Sequence, residues 1–163
     1  MSDSLQRGER TVRDVYNEHA RMLYRIAFTY MKNRYDSEDA LQECFLRYIR
    51  GKVAFTDAQH EKGWLIVTLT NICRDMLKSK YRQHENLDDH QDLAVPPPET
   101  DALMDAILRL PDRYKAAIYL YYYEGYPVKE IATMLRQPPN TVKTWLSQAR
   151  KLLKNELGGD LDV

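Results

Sequence analysis

PVKEIATMLRQPPNTVKTWLSQARKLL, residues 127–153, reads as two short helices around a tight turn. At 3.6 residues per turn, Val142, Trp145, Leu146, Ala149, Leu152 and Leu153 share one arc of the second helix. Lys143, Thr144, Ser147, Gln148, Arg150, Lys151 and Lys154 share the opposite arc. Pro138 and Pro139 stop the first helix and pre-set the start of the second, where a missing backbone N–H costs little. The small Ala132 lets the two helices cross closely. A helix-turn-helix needs these features: a buried brace and an exposed second helix able to enter the major groove. An ordinary helical hairpin with a solvated basic face has the same pattern, so the rest of the chain has to decide.

With 163 residues the chain can bury one ordinary core or two small ones. Six Gly and abundant Leu, Ala, Lys, Arg and Glu favour helix, and strand signals are absent, so an all-α fold is expected. No apolar run of membrane length and no signal-peptide pattern is present, which predicts a cytoplasmic protein without membrane insertion. Cys44 and Cys73 sit in apolar helical patterns and read as buried free thiols. His19, His60, His84 and His90 have no zinc-like spacing, so no metal and no cofactor are expected.

The net charge of zero hides a partition. Residues 10–82 carry 14 Lys+Arg against 9 Asp+Glu, and 103–157 carry 9 against 5. Between them, 83–102 has six acids and no Lys or Arg. Residues 83–101, with Pro96–Pro98, therefore read as an acidic, flexible linker between domains at 10–82 and 102–157. The first domain reads as three helices near 10–32, 36–50 and 61–82, with Asp36 as N-cap and Gly51 as the stop of the second. The other reads as four, near 101–109, 112–123, 127–135 and 138–156. The tyrosines of 119–126, YLYYYEGY, are expected to pack between helices of that second domain, with Tyr121 or Tyr122 exposed.

Two constellations remain open at this level. Asp36, Glu38, Asp39 and Glu43 can be cap and dipole partners, a protein-docking face, or carboxylates of a metal enzyme, although no histidine or nucleophile accompanies them. Asn71, Lys78 and Arg82 share the polar face of the third helix, with Phe55 and Trp64 just before it. Cations for phosphates, amides for base edges and aromatics for stacking suit a single-strand reader, while Trp64 equally suits a core.

DSEDALQECFLRYI (36–49) resembles the D-x-E-D-x-x-Q helix of bacterial sigma factors, and WLIVTLTNICRDMLKSKYR (64–82) is similar to the W-L-x-x-I-x-x-N-x-x-x-D-x-x-R helix that follows it there. Residues 110–153 resemble the family's C-terminal domain, and the two-domain layout is similar to the extracytoplasmic-function (ECF) group of sigma-70 factors. The resemblance implies a promoter-recognition subunit of bacterial RNA polymerase, not an enzyme. It implies docking of Asp36, Glu38, Asp39 and Gln42 on the clamp helices of the largest polymerase subunit. Phe55, Lys62, Trp64 and Asn71 would take the unstacked −10 strand, with Lys78 and Arg82 on its phosphates. Lys143, Thr144, Ser147, Gln148, Arg150 and Lys151 would face the −35 duplex of promoter DNA, and the acidic linker would run through the RNA exit path. An anti-sigma factor, commonly membrane-anchored, is a further implied partner. Two positions that are often arginine in relatives are Trp145 and Gln148 here, which shifts the expected −35 preference, since glutamine favours adenine edges. Arg136 stands where glycine is frequent and would be strained in a left-handed conformation. A stand-alone helix-turn-helix regulator is the alternative; it would have no use for the acidic helix.

Overall fold

The computed structural model describes residues 11–82 and 100–158, and the expected linker falls almost wholly outside them. Seven α-helices and no strand occur among the described residues: α1 Val12–Met31, α2 Arg34–Gly51, α3 Ala58–Arg82, α4 Ala102–Leu108, α5 Asp112–Tyr122, α6 Val128–Leu135 and α7 Pro139–Leu157. The fold is all-α, with α1–α3 forming one bundle and α4–α7 the other.

Each boundary has a local cause. Thr11 and Asp14 cap α1 reciprocally: the Asp14 N–H donates to Thr11 Oγ1 (3.3 Å), and the Thr11 N–H donates to Asp14 Oδ2 (3.0 Å). Helix α2 starts two residues before the expected Asp36. Asn33 is its N-cap, accepting from the Asp36 N–H at 2.8 Å and donating from Nδ2 to Asp36 Oδ2 at 2.8 Å. The stop of α2 also differs, since Gly51 is still helical and Lys52 takes the left-handed conformation (φ 47°). Helix α3 begins three residues early because Asp57 caps it, Oδ1 accepting from the His60 N–H at 2.8 Å.

Val15, Leu23, Ile26 and Ala27 of α1 meet Ala40, Leu41, Cys44 and Phe45 of α2 and Leu65, Ile66, Leu69, Ile72 and Cys73 of α3. Burial pushes both thiols up to about 12, so neither is an available nucleophile at neutral pH. A polar tie crosses this core: Tyr48 Oη donates to Glu61 Oε2 (2.9 Å), and Glu61 Oε1 lies 3.9 Å from His19 Nε2. In the second bundle Met104, Ile107, Ile118, Leu120, Ile131, Leu146 and Leu153 are buried.

Two separate cores on a linker would be the simplest outcome of the sequence. Instead the buried apolar residues of both bundles join in one cluster, because α5 packs on α1 and α6 on α3. Two of the 119–126 tyrosines consequently face the first bundle. Arg25 lies 5.5 Å over the Tyr123 ring, and Lys62 Nζ lies 5.5 Å from the Tyr126 centroid.

Candidate nucleic-acid interface

Helix α7 is set on α6 by backbone geometry. Arg136, where the family frequently has glycine, adopts the left-handed conformation (φ 56°, ψ 48°). The Gln137 N–H reaches back to Ala132 O (2.9 Å) and the Arg136 N–H to Thr133 O (3.3 Å), a Schellman ending that satisfies the last carbonyls of α6. Pro138 is extended (φ −61°, ψ 144°) and Pro139 occupies the first helical position. Val142, Leu146, Ala149 and Leu153 then bury against the bundle, while Leu152, expected in the same arc, is 40% exposed.

Lys143, Thr144, Ser147, Gln148 and Lys151 are exposed on one side of α7. Arg150 departs from this group: it is half-buried, with its guanidinium carbon 4.9 Å over the Tyr121 ring. It stacks on α5 instead of joining the open face. Trp145 is half-buried and packs against the core. Asn140 was missed in the sequence reading. It is exposed in the first turn of α7, and its carbonyl accepts from Thr144 Oγ1 (3.0 Å). Its place directly after Pro139, one turn before Thr144, was a legible signal.

The acidic residues of α2 separate into two environments. Asp36 is 8% exposed and held by Asn33, as its place in the capping turn requires. Glu38, Asp39 and Gln42 are exposed, Glu38 in an (i, i+4) pair with Arg34 at 2.8 Å. Leu46 and Ile49 continue the same side one and two turns on, 42% and 54% exposed, which makes it mixed acidic and apolar. Among the described residues no group of three His, Cys, Asp or Glu can hold a metal ion.

The −10 candidates are not brought to one open face. Phe55 and Trp64 are half-buried in an aromatic cluster with Tyr48 and His60, the Phe55 and Tyr48 rings stacked at 6.0 Å and the Phe55 and Trp64 rings edge-on at 5.9 Å. Lys62 pairs with Glu124 at 2.8 Å. Asn71 is half-buried, its Oδ1 screened from solvent and without a hydrogen-bond partner. Lys78 is exposed, and the Arg82 side chain lies outside the described residues. Arg74, unassigned in the sequence reading, donates to Leu135 O (3.3 Å) and Met134 O (3.4 Å) at the end of α6.

Comparison with known proteins matches this arrangement in the same order. Residues 15–83 match the family model for sigma-70 region 2, and residues 100–153 that for sigma-70 region 4. The RNA polymerase sigma factor SigV of Bacillus subtilis is 30% identical over 145 residues, covering 86% of this chain and 87% of that protein. The ECF RNA polymerase sigma factor SigM of Mycobacterium tuberculosis is 30% identical over 156 residues, covering 93% and 80%. The fold is similar to that of the sigma factor RpoE from Bartonella quintana, solved in complex with the anti-sigma factor NepR. That match has a TM-score of 0.71 at 19% identity and covers 91% of this chain and 99% of that one.

Proposed function

The chain belongs to the ECF group of sigma-70 RNA polymerase sigma factors, and from that premise we propose how its surfaces divide the work of starting transcription at a promoter. As a sigma factor it binds core RNA polymerase and directs promoter-specific initiation. The assignment of that role to residues is our reading. The observation that carries it is the open α7 face: Lys143, Thr144, Ser147, Gln148 and Lys151 all point to solvent from a helix braced by α6.

On this reading Lys143 and Lys151 hold −35 phosphates, and Asn140, Thr144, Ser147 and Gln148 reach base edges. Arg150 acts through Tyr121 as a packing residue. Gln148, with an amide that suits adenine, and the half-buried Trp145 set the −35 preference apart from relatives with arginine there. Core docking falls to Glu38, Asp39 and Gln42 together with Leu46 and Ile49. Asp36 shapes the start of α2 instead of touching the polymerase. Asn71, Lys78 and Arg82 take the −10 strand beside the Phe55–Trp64 cluster, with Lys62 at its edge.

Domain limits of 10–82 and 102–157, joined by the acidic linker, belong to the same reading. So does a cytoplasmic site of action, where polymerase and promoters are; no described helix is long and apolar enough to cross a membrane. The family's members are transcription-initiation factors, and we assign this chain no reaction of its own. A protein inhibitor is supported by the fold neighbour solved with an anti-sigma factor, and its membrane anchoring is the finer part of the proposal.

Reconstitution with bacterial core polymerase on a promoter library tests the whole reading. Promoter-specific transcripts that vanish with Asp39→Lys are expected. Absence of specific initiation with every core enzyme tried would refute it.

A further inference from the structure

The loop that leads into α3 is tied down by a side chain from the first turn of that helix. Lys52–Asp57 joins α2 to α3, with Lys52 left-handed (φ 47°) and Val53, Ala54, Thr56 and Asp57 exposed. A connection this open keeps one shape only where something fixes it. His60 does so twice. Its Nδ1 accepts the Thr56 N–H at 3.1 Å, with Thr56 Oγ1 3.4 Å away, and its ring meets the Phe55 ring edge-on at 5.2 Å. In the other direction Asp57 Oδ1 accepts the His60 N–H at 2.8 Å. Loop and helix thus exchange side-chain acceptors for backbone N–H groups, the logic of a capping box with histidine as the second partner.

The wall behind Phe55 is fixed separately. The Phe55 ring stacks on Tyr48 (6.0 Å, 8° between planes) and lies edge-on to Trp64. Tyr48 Oη is held in turn by the buried Glu61, the residue after His60. The core therefore sets the wall, while His60, itself exposed, props the loop side. An exposed ring adds little to the core; what it fixes is the shape of the loop.

We propose that His60 is a positioning residue for −10 opening: it holds Thr56 and Phe55 in the arrangement that receives the unstacked strand, and need not touch a base itself. The proposal rests on the sigma-factor reading for the strand; the pinning of the loop is a property of the free chain. A loop ordered only on capture would lose its conformational entropy at that step, whereas a loop already held has lost it on folding. Removing the prop should slow opening and spare core docking and −35 binding, because Glu38, Asp39, Gln42 and the open α7 face belong to other helices.

The experiment separates the two contacts of His60 by substitution. His60→Phe keeps a ring against Phe55 and removes the acceptor. His60→Asn places Oδ1 where Nδ1 stood and removes the ring, and His60→Ala removes both. In the free chain, amide exchange at Thr56 followed by NMR should quicken roughly threefold to tenfold in His60→Phe and His60→Ala, the range of one net hydrogen bond, and stay near wild type in His60→Asn. In holoenzyme with bacterial core polymerase, 2-aminopurine placed in the non-template −10 strand reports opening. Its fluorescence rise should slow roughly threefold to tenfold in His60→Phe and further in His60→Ala, with His60→Asn the fastest of the three. Core affinity by gel filtration and −35 duplex protection should match wild type throughout.

Thr56 exchange that is the same in wild type and His60→Phe would overturn the pinning. Exchange that quickens while opening keeps its wild-type rate would reduce His60 to a cap of α3 and overturn the positioning role. So would an equal loss of core affinity or −35 binding, or a His60→Asn chain that opens promoters no faster than His60→Ala. A wild-type holoenzyme that initiates at no promoter would sink the sigma reading and the positioning role together, while Thr56 exchange still decides the pinning.

Discussion

Helices α3 and α7 carry the same sequence signature, an apolar arc opposite a face of cations and amides, yet they end in opposite situations. On α7 that face is bare among the described residues, because the apolar arc is consumed by its own bundle. On α3 the apolar arc is likewise consumed, but one shoulder of the polar side is occupied by α6 through Arg74 and flanked by the Lys62–Glu124 pair, while Lys78 further along stays exposed. Amphipathicity reports which face is polar. Whether that face is open depends on a second bundle some sixty residues away in sequence.

The harshest way to break the comparison is to remove the platform of α7. Leu146, 2% exposed, replaced by alanine should cost about 2–5 kcal/mol, seen as a lower denaturant midpoint. Loss of −35 binding should accompany it. Because the two bundles share one apolar cluster, the loss should also loosen the cover on α3.

Sharper, and next in size, is a pair of changes on the two polar faces. Gln148→Arg should move −35 preference toward guanine by about 1–3 kcal/mol at one base pair, measured by competition between promoter variants in the holoenzyme. Asn71→Ala should leave the free chain's stability and its core affinity in place and slow −10 opening roughly tenfold, the value of about one hydrogen bond. An equal fall in core affinity would make Asn71 structural.

Smaller still is the turn that joins α6 to α7. Arg136→Gly, relieving a left-handed arginine, should raise stability by about 0.5–1 kcal/mol in thermal melts without changing −35 preference. Last comes a pH effect on stability. Burial raises the Asp112 carboxyl, but hydrogen bonds from Lys32 and Lys115 outweigh it and hold it below the usual range. Asp101 is held low by the Tyr123 hydroxyl and then by the Met104 N–H. With folded values below the unfolded one, the unfolded chain binds these protons first. Their contribution is present above about pH 4 and is lost as pH falls through the folded values. The melting temperature followed by circular dichroism should therefore fall as the pH drops below about 4.

Particular residues show what was legible. The turn around Pro138 and Pro139 and the buried Val142, Leu146, Ala149 and Leu153 follow from spacing and proline chemistry alone, while the left-handed Arg136 was signalled by the family resemblance, which has glycine frequent there. Arg150 misled because it lies at the edge of the polar arc, where a long side chain can swing either way. The Tyr121 ring captured it. Asp36 misled as the N-cap of α2, because an acid at a helix start suits that role and Asn33, the actual cap, looked like an ordinary loop residue. Leu152 is at the other edge of its arc and stays partly exposed.

The sequence by itself determined the all-α class, the two bundles, the helix-turn-helix and the family, because each depends on periodicity, caps and motifs read within one or two helices. Only the tertiary structure decided that Lys62, Arg74 and Arg25 are engaged by the C-terminal bundle while the polar face of α7 stays open. Those facts depend on where one bundle settles on the other. That docking is set by two carboxylates, two carbonyls and two tyrosine rings scattered between positions 112 and 135, which leave no periodic trace in the chain.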